Sequence, residues 1–497
     1  MTDRLQWIDL LCEEKKVNQS REIKTENDAR SIFDKDYHRI VSSSSFRRLQ
    51  DKAQVFPLEK FDFVRTRLTH SIEVASLAKS LGRDIVPFLE AKEKNKNFKH
   101  IPTILECSGL IHDIGNPPFG HFGETSIRDW FIGNAENIVC KDNKWFLLNP
   151  SIAYGEIKTQ RKLVDILNKQ QLNDFCFFEG NAQSLRNAMK LNYLIDENGL
   201  NLSFPLLNTI IKYPINSLEI NSEEILLKKN GFFYSENNEV IEIMNCTKTK
   251  INGKFCRHPL TFLLEAADDI TYLTDDLEDA FNKKKLRVSD IEKILQENYC
   301  HDDFCNEVRK KIESYRKESI KQEYKNEDMY IIQRLKIFIQ GQLISFVVES
   351  FKNNYDQIME GTFTKTLLSS SIGSSIETVL INLATRFVFN SKEILENEIK
   401  GHKIIEEILN ELIIGILNLD DISKSKSYFQ KLYFLISDNY RLIYEKKIKS
   451  LNDLQQENND LFLSEMVFYK ILLITDFICG MTDTYAYDFY QKIQSIE

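Results

Sequence analysis

Glycine and proline are scarce in this chain, whose 497 residues include only 17 glycines and 9 prolines. Because these two residues punctuate turns, their scarcity disfavours an all-β protein built from many short strands. Long runs rich in Leu, Ile, Lys, Glu and Asn fill the sequence between them. The composition therefore predicts a mainly α-helical protein, and its hydrophobic content of 42% is ample for a large core.

The sequence also lacks any run of 18 uncharged apolar residues. Its closest approach, residues 471–478, is short and contains Asp476. The first residues do not resemble a secretory signal peptide, which carries a basic start and an apolar centre. We therefore expect a soluble cytoplasmic protein without a membrane segment.

Regularly spaced cysteines are missing too: the nine cysteines are odd in number and scattered along the chain. This pattern does not predict a disulfide framework. The formal net charge of −9 at pH 7 argues against a protein whose whole surface binds duplex nucleic acid. A local basic pocket is still compatible with that charge.

The most informative stretch that is present, residues 112–124, reads HDIGNPPFGHFGE. His112 and Asp113 offer an imidazole nitrogen and a carboxylate oxygen to one cation, a mixed set suited to a divalent transition metal. The Asn-Pro-Pro segment cannot continue a helix, so the chain must turn and bring His121 and Glu124 back towards the pair. Metal ligands followed by two proton-transfer groups are typical of a metal-assisted hydrolase.

Apolar residues at three- and four-residue steps predict helices over residues 66–85 and about 103–114, on the N-terminal side of this stretch. The first helix contains His70 near its start, and the second ends at the His-Asp pair. Taken alone, His70 is more simply a hydrogen-bonded helix histidine. The chain has only 8 histidines, however, and their conjunction here favours a shared metal site.

A third helix, predicted over residues 258–282, carries Asp268, Tyr272 and Asp276 at four-residue steps, which form one ridge. Taken alone, this ridge is more simply a solvated acidic face. Asp268 also supplies the carboxylate that a fourth metal ligand requires. Two histidines and two aspartates would suit Mn²⁺, Fe²⁺ or Zn²⁺, whereas Mg²⁺ prefers oxygen ligands throughout.

The domain organisation is predicted as one large helical unit with insertions. We expect an N-terminal segment over 1–35, a core over 36–282 with insertions at about 134–180 and 222–256, and a helical C-terminal region over 283–497 packed on the core. Short aromatic or β-branched runs at 225–227, 231–234 and 239–243 predict a small β-hairpin in the second insertion.

Seven segments of the sequence resemble the bacterial deoxyguanosine triphosphate triphosphohydrolases, which belong to the HD-domain metal phosphohydrolase superfamily. They are RLTHS (67–71), residues 112–124, DDITYLTDD (268–276), RRLQDKAQVFP (47–57), FEGNAQ (178–183), RHPL (257–260) and DFICGMTDTYA (476–486). The matches run from residue 36 to residue 486, although residues 283–460 agree only in length and helical texture.

The resemblance implies a mainly α-helical HD-domain bundle with further helices and a small hairpin-like insertion. It also assigns roles to twelve residues. The metal ligands would be His70, His112, Asp113 and Asp268; the catalytic pair His121 and Glu124; the deoxyribose contacts Gln54, Tyr272 and Asp276; the α-phosphate contact Arg67; and the outer-phosphate contacts Lys212 and Lys229. Each lysine alone is also compatible with an ordinary surface cation.

The implied activity is hydrolysis of a deoxynucleoside triphosphate, with dGTP preferred, to a deoxynucleoside and inorganic triphosphate. Mn²⁺ or Mg²⁺ would be the cofactor, with Fe²⁺ or Zn²⁺ as alternatives, and the resemblance favours a homohexamer that also binds single-stranded DNA. Two rival hypotheses are an HD-domain nucleotidase or phosphodiesterase for another nucleotide, and a nucleic-acid-responsive effector. The predicted deoxyribose contacts weigh against the first rival.

Overall fold

The computed structural model describes residues 4–16, 28–58, 64–93, 98–148, 161–192, 198–297, 303–419, 427–451, 454 and 458–494. The residues outside these ranges include 1–3 and 17–27 of the predicted N-terminal segment and 149–160 of the first insertion.

Helices dominate the described chain, as the composition predicts. The α-helices are α1 (Trp7–Leu10), α2 (Ile32–Ser42), α3 (Ser44–Arg48), α4 (Arg67–Lys92), α5 (Ile101–Ile111), α6 (His121–Asn134), α7 (Leu163–Ile166), α8 (Lys169–Cys176), α9 (Gly180–Arg186), α10 (Phe204–Thr209), α11 (Asn237–Cys246), α12 (Pro259–Asn282), α13 (Val288–Gln296), α14 (Asp303–Lys321), α15 (Glu327–Asn353), α16 (Tyr355–Met359), α17 (Ser374–Ala384), α18 (Lys392–Leu417), α19 (Tyr428–Leu435), α20 (Asp438–Ser450), α21 (Asn459–Cys479) and α22 (Asp483–Ile493). The mainly α-helical fold class is confirmed.

The strands of the described chain are short and antiparallel. They are β1 (Ile138–Lys141), β2 (Lys144–Leu147), β3 (Arg161–Lys162), β4 (Lys250–Ile251) and β5 (Lys254–Phe255). The first three form a sheet in the order β2-β1-β3, and the last two form a separate hairpin. Single turns of 3-10 helix lie at Leu49–Asp51, Phe98–His100, Ile225–Leu227 and Tyr234–Glu236, and π-helical turns at Asn187–Leu191 and Thr385–Phe389.

The insertion at 222–256 does contain a hairpin, but the three segments predicted to form it are wrong. Residues 225–227 form a 3-10 turn, residues 231–233 form no strand, and residues 239–243 lie inside α11. In α11 the buried residues Val240, Ile243 and Met244 follow the helical period, which short apolar runs do not distinguish from a strand. The hairpin is formed by β4 and β5, whose turn residues Asn252 and Gly253 have φ of 49° and 80°, the Asn-Gly signature of a tight hairpin.

The predicted metal ligands lie on α4 and α12 and directly after α5, and these three helices pack against one another. Gly109 of α5 makes this packing close, because a Cβ there would lie 2.6 Å from the Cα of Ala75 in α4. Pro259 occupies the first turn of α12, where its missing N–H leaves no helical hydrogen bond unmade. The tight packing of these helices fixes the positions of their side chains.

The buried side chains form two hydrophobic clusters. The first extends from Leu5 to Ile394 and contains the α4, α5 and α12 residues, and the second extends from Phe119 to Phe489 around α6, α18 and α21. The loop after α5 lies between them, since Ile114 belongs to the first cluster and Phe119 to the second. The boundary predicted after residue 282 coincides with the end of α12, and the division into regions remains a prediction.

One helix of the described chain, α15, has the length and apolar composition of a membrane span. Its buried residues, however, belong to the first hydrophobic cluster, and it packs along α12 and α14. Its Lys336 also forms ion pairs with Asp275 and Glu278 of α12, at 2.7 and 2.9 Å. These contacts make α15 a helix of the core.

Candidate active site

The four predicted metal ligands converge, although they come from three separate parts of the chain. One ligand atom from each of His70, His112 and Asp113 lies within 4.8 Å of the others. Oδ1 of Asp268, on α12, lies 3.1 Å from Nε2 of His70 and 3.6 Å from Nε2 of His112. The side chain of Asp268 therefore lies beside both imidazoles, and its role as a fourth metal ligand stays a prediction.

The hydrogen bonds of His112 leave one ring nitrogen available for a cation. Its Nδ1 lies 2.7 Å from the carbonyl oxygen of Gly109, one turn earlier in α5, to which it donates. Its Nε2 is buried and has no hydrogen-bond partner among the described residues. A lone pair directed at two carboxylates fits a divalent metal ion, and a mixed imidazole and carboxylate set suits such an ion.

Charge in this cluster is balanced tightly. Burial lowers the pKa of His112, but the carboxylates of Asp113 and Asp268 outweigh it and raise that pKa to about 9. Burial likewise opposes ionisation of Asp113, yet the neighbouring Arg67 guanidinium holds the pKa of this carboxyl at about 2. Arg67 donates from Nη1 to Asp113 Oδ2, and Asn116 donates to Oδ1 at 2.7 Å. These contacts orient the Asp113 carboxylate.

The loop after the His-Asp pair turns back, as the proline break predicts. Phe119 and Gly120 have φ of 64° and 62°, a left-handed conformation in which glycine is unstrained and phenylalanine is not. The Phe119 N–H donates to Oδ1 of Asp483 at 2.8 Å, and the buried Lys52 donates to the carbonyl of Asn116 at 2.5 Å. These two side chains hold the loop in its strained shape.

The predicted catalytic pair forms a hydrogen bond at the start of α6. Nδ1 of His121 lies 3.2 Å from Oε2 of Glu124, whose side chain is 2% exposed whereas that of His121 is 72% exposed. The hydrogen bond to Glu124 raises the pKa of His121 above its usual range. Burial opposes ionisation of Glu124, but the bond from His121 lowers its pKa. The pair thus places an exposed imidazole against a buried carboxylate that favours its protonated form.

Helix α9 supports this pair from behind. The N–H of Gly180 donates to Oε1 of Glu124 at 3.0 Å, so both carboxylate oxygens are engaged. A Cβ at Gly180 would lie 2.1 Å from Oδ1 of Asn116 and 2.3 Å from Oε1 of Glu124. Only glycine therefore permits this approach. Ser184 of the same helix donates to the carbonyl of His112 at 2.8 Å and accepts from the N–H of Gly115 at 2.9 Å.

A cavity of about 500 Å³ opens onto the metal cluster and the His121–Glu124 pair. It is also lined by the other predicted contacts Gln54, Arg67, Lys212, Lys229 and Tyr272. His70 is buried beneath the cavity and reaches it through Asp268. Asp276 does not line the cavity: it is buried one helical turn beyond Tyr272, and its Oδ2 has no partner among the described residues.

The cavity cations are held on one side by carboxylates. Nζ of Lys212 lies 3.4 Å from Glu265, and Nζ of Lys229 lies 3.0 Å from Glu179. The two lysines are brought together because the chain at Gly231 crosses the backbone of Tyr213, where a Cβ would lie 1.6 Å from a carbonyl oxygen. Gly231 is therefore required for this close crossing.

Several cavity residues were missed by the sequence-based reasoning. Lys228 lines the cavity without an ion pair among the described residues, and burial followed by the neighbouring cations Lys212 and Lys229 lowers its pKa. Burial raises the pKa of Asp269 to about 8. Phe389, from the π-helical turn after α17, stacks on Tyr272 with ring centroids 6.2 Å apart. Of these missed residues, only Lys228 has a signal in the sequence, because it stands next to the predicted contact Lys229.

Comparison with known proteins is consistent with this geometry. The HD domain family matches residues 67–166. The chain is 41% identical to a deoxyguanosinetriphosphate triphosphohydrolase-like protein of Listeria monocytogenes, over 99% of this chain and 100% of that protein. It is 31% identical to the deoxyguanosinetriphosphate triphosphohydrolase of Salmonella typhimurium (96% of each chain) and 30% identical to that of Yersinia pseudotuberculosis (94% of each). Together with the converged ligand cluster, these full-length similarities show that the chain belongs to the deoxyguanosinetriphosphate triphosphohydrolase family of HD-domain proteins.

Proposed function

We propose that this protein is a metal-dependent deoxynucleoside triphosphate triphosphohydrolase that prefers dGTP. One observation carries the proposal: a single cavity is lined by His112, Asp113 and Asp268, by the hydrogen-bonded His121–Glu124 pair and by three lysines. Family membership supports the same activity, because the relatives from Salmonella and Yersinia are named for it. The products would be a deoxynucleoside and inorganic triphosphate.

In this proposal the α-phosphate binds at the ligand cluster. A divalent ion held by His70, His112, Asp113 and Asp268 would supply Lewis-acid polarisation of a phosphoryl oxygen and a nucleophilic water at neutral pH. Arg67 lines the same part of the cavity, and its Nε has no hydrogen-bond partner among the described residues. Its guanidinium thus orients Asp113 through one nitrogen and offers another to the α-phosphate.

His121 acts as the general acid. Water adds to the α-phosphorus, the bond from phosphorus to the deoxyribose 5′-oxygen breaks, and the triphosphate keeps the added oxygen. The 5′-oxygen is a poor leaving group, so it must receive a proton as the bond breaks. His121 lines the cavity, and its hydrogen bond to Glu124 raises its pKa and so favours the protonated form that donates this proton.

The lysines bind the outer phosphates. Lys212 and Lys229 line the cavity as compact point charges, and Lys228 adds a cation without a carboxylate partner among the described residues. Negative charge on the triphosphate grows as its bond to the 5′-oxygen breaks. Pre-positioned cations therefore stabilise the transition state more than the ground state.

Tyr272 and Gln54 select the sugar. The Tyr272 ring, stacked on Phe389, presents a rigid face to the cavity, and a ribose 2′-hydroxyl against that face would clash. The Gln54 Oε1 atom is buried without a partner among the described residues, which suits a bond from the 3′-hydroxyl. Asp276 acts indirectly in this proposal rather than as a direct sugar contact: burial and the neighbouring Asp276 carboxylate raise the pKa of Tyr272, which favours its protonated hydroxyl.

Incubation with each of the four dNTPs, with Mn²⁺ or Mg²⁺ in parallel, tests the proposal. Phosphorus NMR should detect inorganic tripolyphosphate, chromatography should detect the deoxynucleoside, and dGTP should give the highest kcat/KM. Release of pyrophosphate and a monophosphate would refute the proposed bond cleavage. GTP serves as the matched control for sugar selection, because it differs from dGTP only in the 2′-hydroxyl.

Metal identity, partners and location are also proposals. Mn²⁺ or Mg²⁺ is the expected cofactor, with Fe²⁺ and Zn²⁺ as alternatives, and metal-free enzyme titrated with each ion would rank them. A homohexamer and binding of single-stranded DNA follow from the family resemblance. Light scattering measures the first, and salt-dependent oligonucleotide binding measures the second. Soluble dNTP substrates are consistent with a cytoplasmic enzyme.

A further inference from the structure

Arg257 begins the RHPL segment (257–260), which belongs to the family resemblance but has no part in the proposed mechanism. The residue is 3% exposed and does not line the active-site cavity. Its guanidinium lies between two aromatic rings, 5.7 Å from the centroid of Tyr213 and 5.3 Å from that of Phe262. A cation is costly to bury, so the groups that it contacts indicate what it does.

Both polar partners of Arg257 lead to Lys212. The Nε atom of Arg257 donates to the carbonyl oxygen of Lys212 at 2.6 Å, and its Nη1 donates to Oε2 of Glu265 at 2.7 Å. The other oxygen of that carboxylate lies 3.4 Å from Nζ of Lys212. One buried carboxylate thus lies between an arginine outside the cavity and a lysine that lines it. We call Arg257, Glu265 and Lys212 the Lys212 triad.

All three side chains of the Lys212 triad are charged. Burial opposes ionisation of Glu265, but Arg257 and then Lys212 lower its pKa. Burial likewise lowers the pKa of Lys212, yet the Glu265 carboxylate outweighs it and raises that pKa. The arginine is protonated at any ordinary pH. Two positive charges and one negative charge leave one positive charge in excess, whereas Glu265 and Lys212 alone would cancel.

The charges of Arg257 and Glu265 act inside the cavity, although neither residue lines it. Lys228 does line the cavity, and its pKa is lowered by burial and then by Lys212 and Lys229. Glu265 acts on the same ammonium in the opposite direction, and Arg257 lowers its pKa further. An anion beside Lys228 would therefore be attracted by Arg257 and repelled by Glu265, because charges in a partly dry site interact over several ångströms.

The second predicted phosphate contact, Lys229, is held in a similar way. Its Nζ lies 3.0 Å from Oε2 of Glu179, and Nη1 of Arg128 lies 3.7 Å from the same oxygen. The Glu179 side chain is 2% exposed, and Arg128 lies outside the cavity lining. Arg128 also donates to the carbonyl oxygen of Phe178 at 3.1 Å, which fixes its position. Each of the two cavity lysines therefore faces a buried carboxylate that is shared with an arginine.

We propose that Arg257 is a positioning residue for triphosphate binding: it offsets the charge of Glu265, so that Lys212 keeps its attraction for the outer phosphates. The carboxylate anchors the lysine, but a lysine paired with a carboxylate alone attracts an anion only weakly. Sharing the carboxylate with Arg257 keeps the anchor and restores the positive charge. Arg128 acts likewise on Lys229, and less strongly, because its side chain is 27% exposed and its ion pair is longer. The inference rests on the proposed function, which makes Lys212 an outer-phosphate contact.

Calorimetric titration with inorganic tripolyphosphate, at a fixed Mg²⁺ concentration, tests the charges one at a time. Lys212→Ala should weaken binding by about tenfold, the scale of one partly screened unit charge, and so identifies the site that is measured. Arg257→Gln should weaken binding by a similar factor. Glu265→Gln should strengthen binding several-fold, because the positive excess rises from one charge to two. The variant with both Arg257→Gln and Glu265→Gln should bind like wild type, because its net charge is unchanged.

The direction of the Glu265→Gln effect separates an electrostatic role from a purely structural one. If the Arg257–Glu265 pair only supported the fold, each substitution would weaken binding. Weaker or unchanged binding by Glu265→Gln would therefore overturn the proposal. Unfolding temperatures should accompany each titration, since removing one member of a buried ion pair destabilises a protein more than replacing both. Where Arg257→Gln does not fold, Glu265→Gln and the double variant still decide the question.

Glu292→Gln is the matched control for the loss of a carboxylate. Glu292 lies on α13, 2.9 Å from Nη2 of Arg316, and neither residue lines the cavity. This variant changes the net charge of the chain as Glu265→Gln does, and its affinity for tripolyphosphate should equal that of wild type. Equally tighter binding by both variants would assign the effect to total charge and refute the role of the Lys212 triad.

Failure of the proposed function gives a different result from failure of this inference. Undiminished tripolyphosphate binding by Lys212→Ala would exclude Lys212 as a phosphate contact, and both would then be wrong. Release of pyrophosphate from dNTPs would refute the proposed bond cleavage alone. The titrations require no turnover, so the affinities of the Arg257 and Glu265 variants would still decide the inference.

Discussion

Replacing Gly180 by alanine tests the support that α9 gives to the active site. The added Cβ would lie 2.1 Å from the Asn116 amide oxygen and 2.3 Å from the Glu124 carboxylate, whereas ordinary contact begins at 3.4 Å. Something must therefore move by about 1 Å. Both neighbours are committed: Asn116 holds Asp113 at 2.7 Å, and Glu124 holds His121 at 3.2 Å. The displacement reaches a metal ligand and the general acid together.

Two effects of Gly180→Ala should be measurable. Overpacking of a buried contact typically reduces the free energy of unfolding by about 1–3 kcal/mol. Misplacing catalytic groups by about 1 Å costs about 10²-fold in rate, so we expect kcat to fall by about that factor. Steady-state kinetics on dGTP and urea denaturation monitored by circular dichroism give the two values.

Gly133→Ala is the matched control, because Gly133 lies within α6 and no atom lies within 4 Å of its added Cβ. Alanine in an open helical position should stabilise the protein by about 0.5–1 kcal/mol and leave kcat unchanged. If Gly180→Ala retained wild-type kcat and stability, the close approach of α9 to Glu124 would not position the acid, and that part of the reasoning would be wrong.

Three further replacements examine the ligands, the acid and the sugar contact. His112→Ala should abolish both metal uptake, measured by calorimetry, and turnover; undiminished uptake would exclude His112 as a ligand. His121→Ala should keep the metal but lower kcat by about 10²–10⁴, the usual scale for a general acid, and full activity would reject that role. Because Glu124 raises the pKa of His121, kcat should fall as pH rises through that pKa. In Glu124→Gln, the pH at which kcat falls should decrease towards about 6.5, the ordinary pKa of histidine. A pH profile equal to that of the wild type would show that the fall does not arise from the His121–Glu124 pair. Tyr272→Ala should raise GTP hydrolysis relative to dGTP by roughly tenfold or more, and an unchanged ratio would mean that Tyr272 does not exclude ribose.

The parts of the site that the sequence predicts are those with local signals. Helical periodicity placed His70 and Asp268 on helices, and the Asn-Pro-Pro break placed His121 after a turn. A spacing of three residues suffices to bring His121 and Glu124 onto one helix face. Each of these inferences depends on backbone geometry within a few residues, which side-chain type and spacing largely determine.

The parts that were missed depend on contacts between distant segments. Helical period places Asp276 on the same ridge as Tyr272, but α12 continues past the cavity, so the ridge is only partly exposed to it. Phe389 lines the cavity from a π-helical turn, and no residue pattern in the sequence predicts such a turn. The need for glycine at residue 180 arises from Glu124, 56 positions earlier. Tertiary packing decides such contacts, and a single sequence does not encode their partners locally.

The C-terminal segment shows why the matched HD domain is insufficient for this site. The HD match ends at residue 166, yet Asp483 of α22 accepts from the N–H groups of both Phe119 and Ala53, at 2.8 and 2.9 Å. Lys52 donates to the carbonyl oxygens of Asn116 and Cys479, at 2.5 and 2.6 Å. The left-handed turn at Phe119 is costly and persists only while such partners hold it. The C-terminal helices therefore hold the loop that places His121, and they are part of the active site although they contribute no predicted metal ligand.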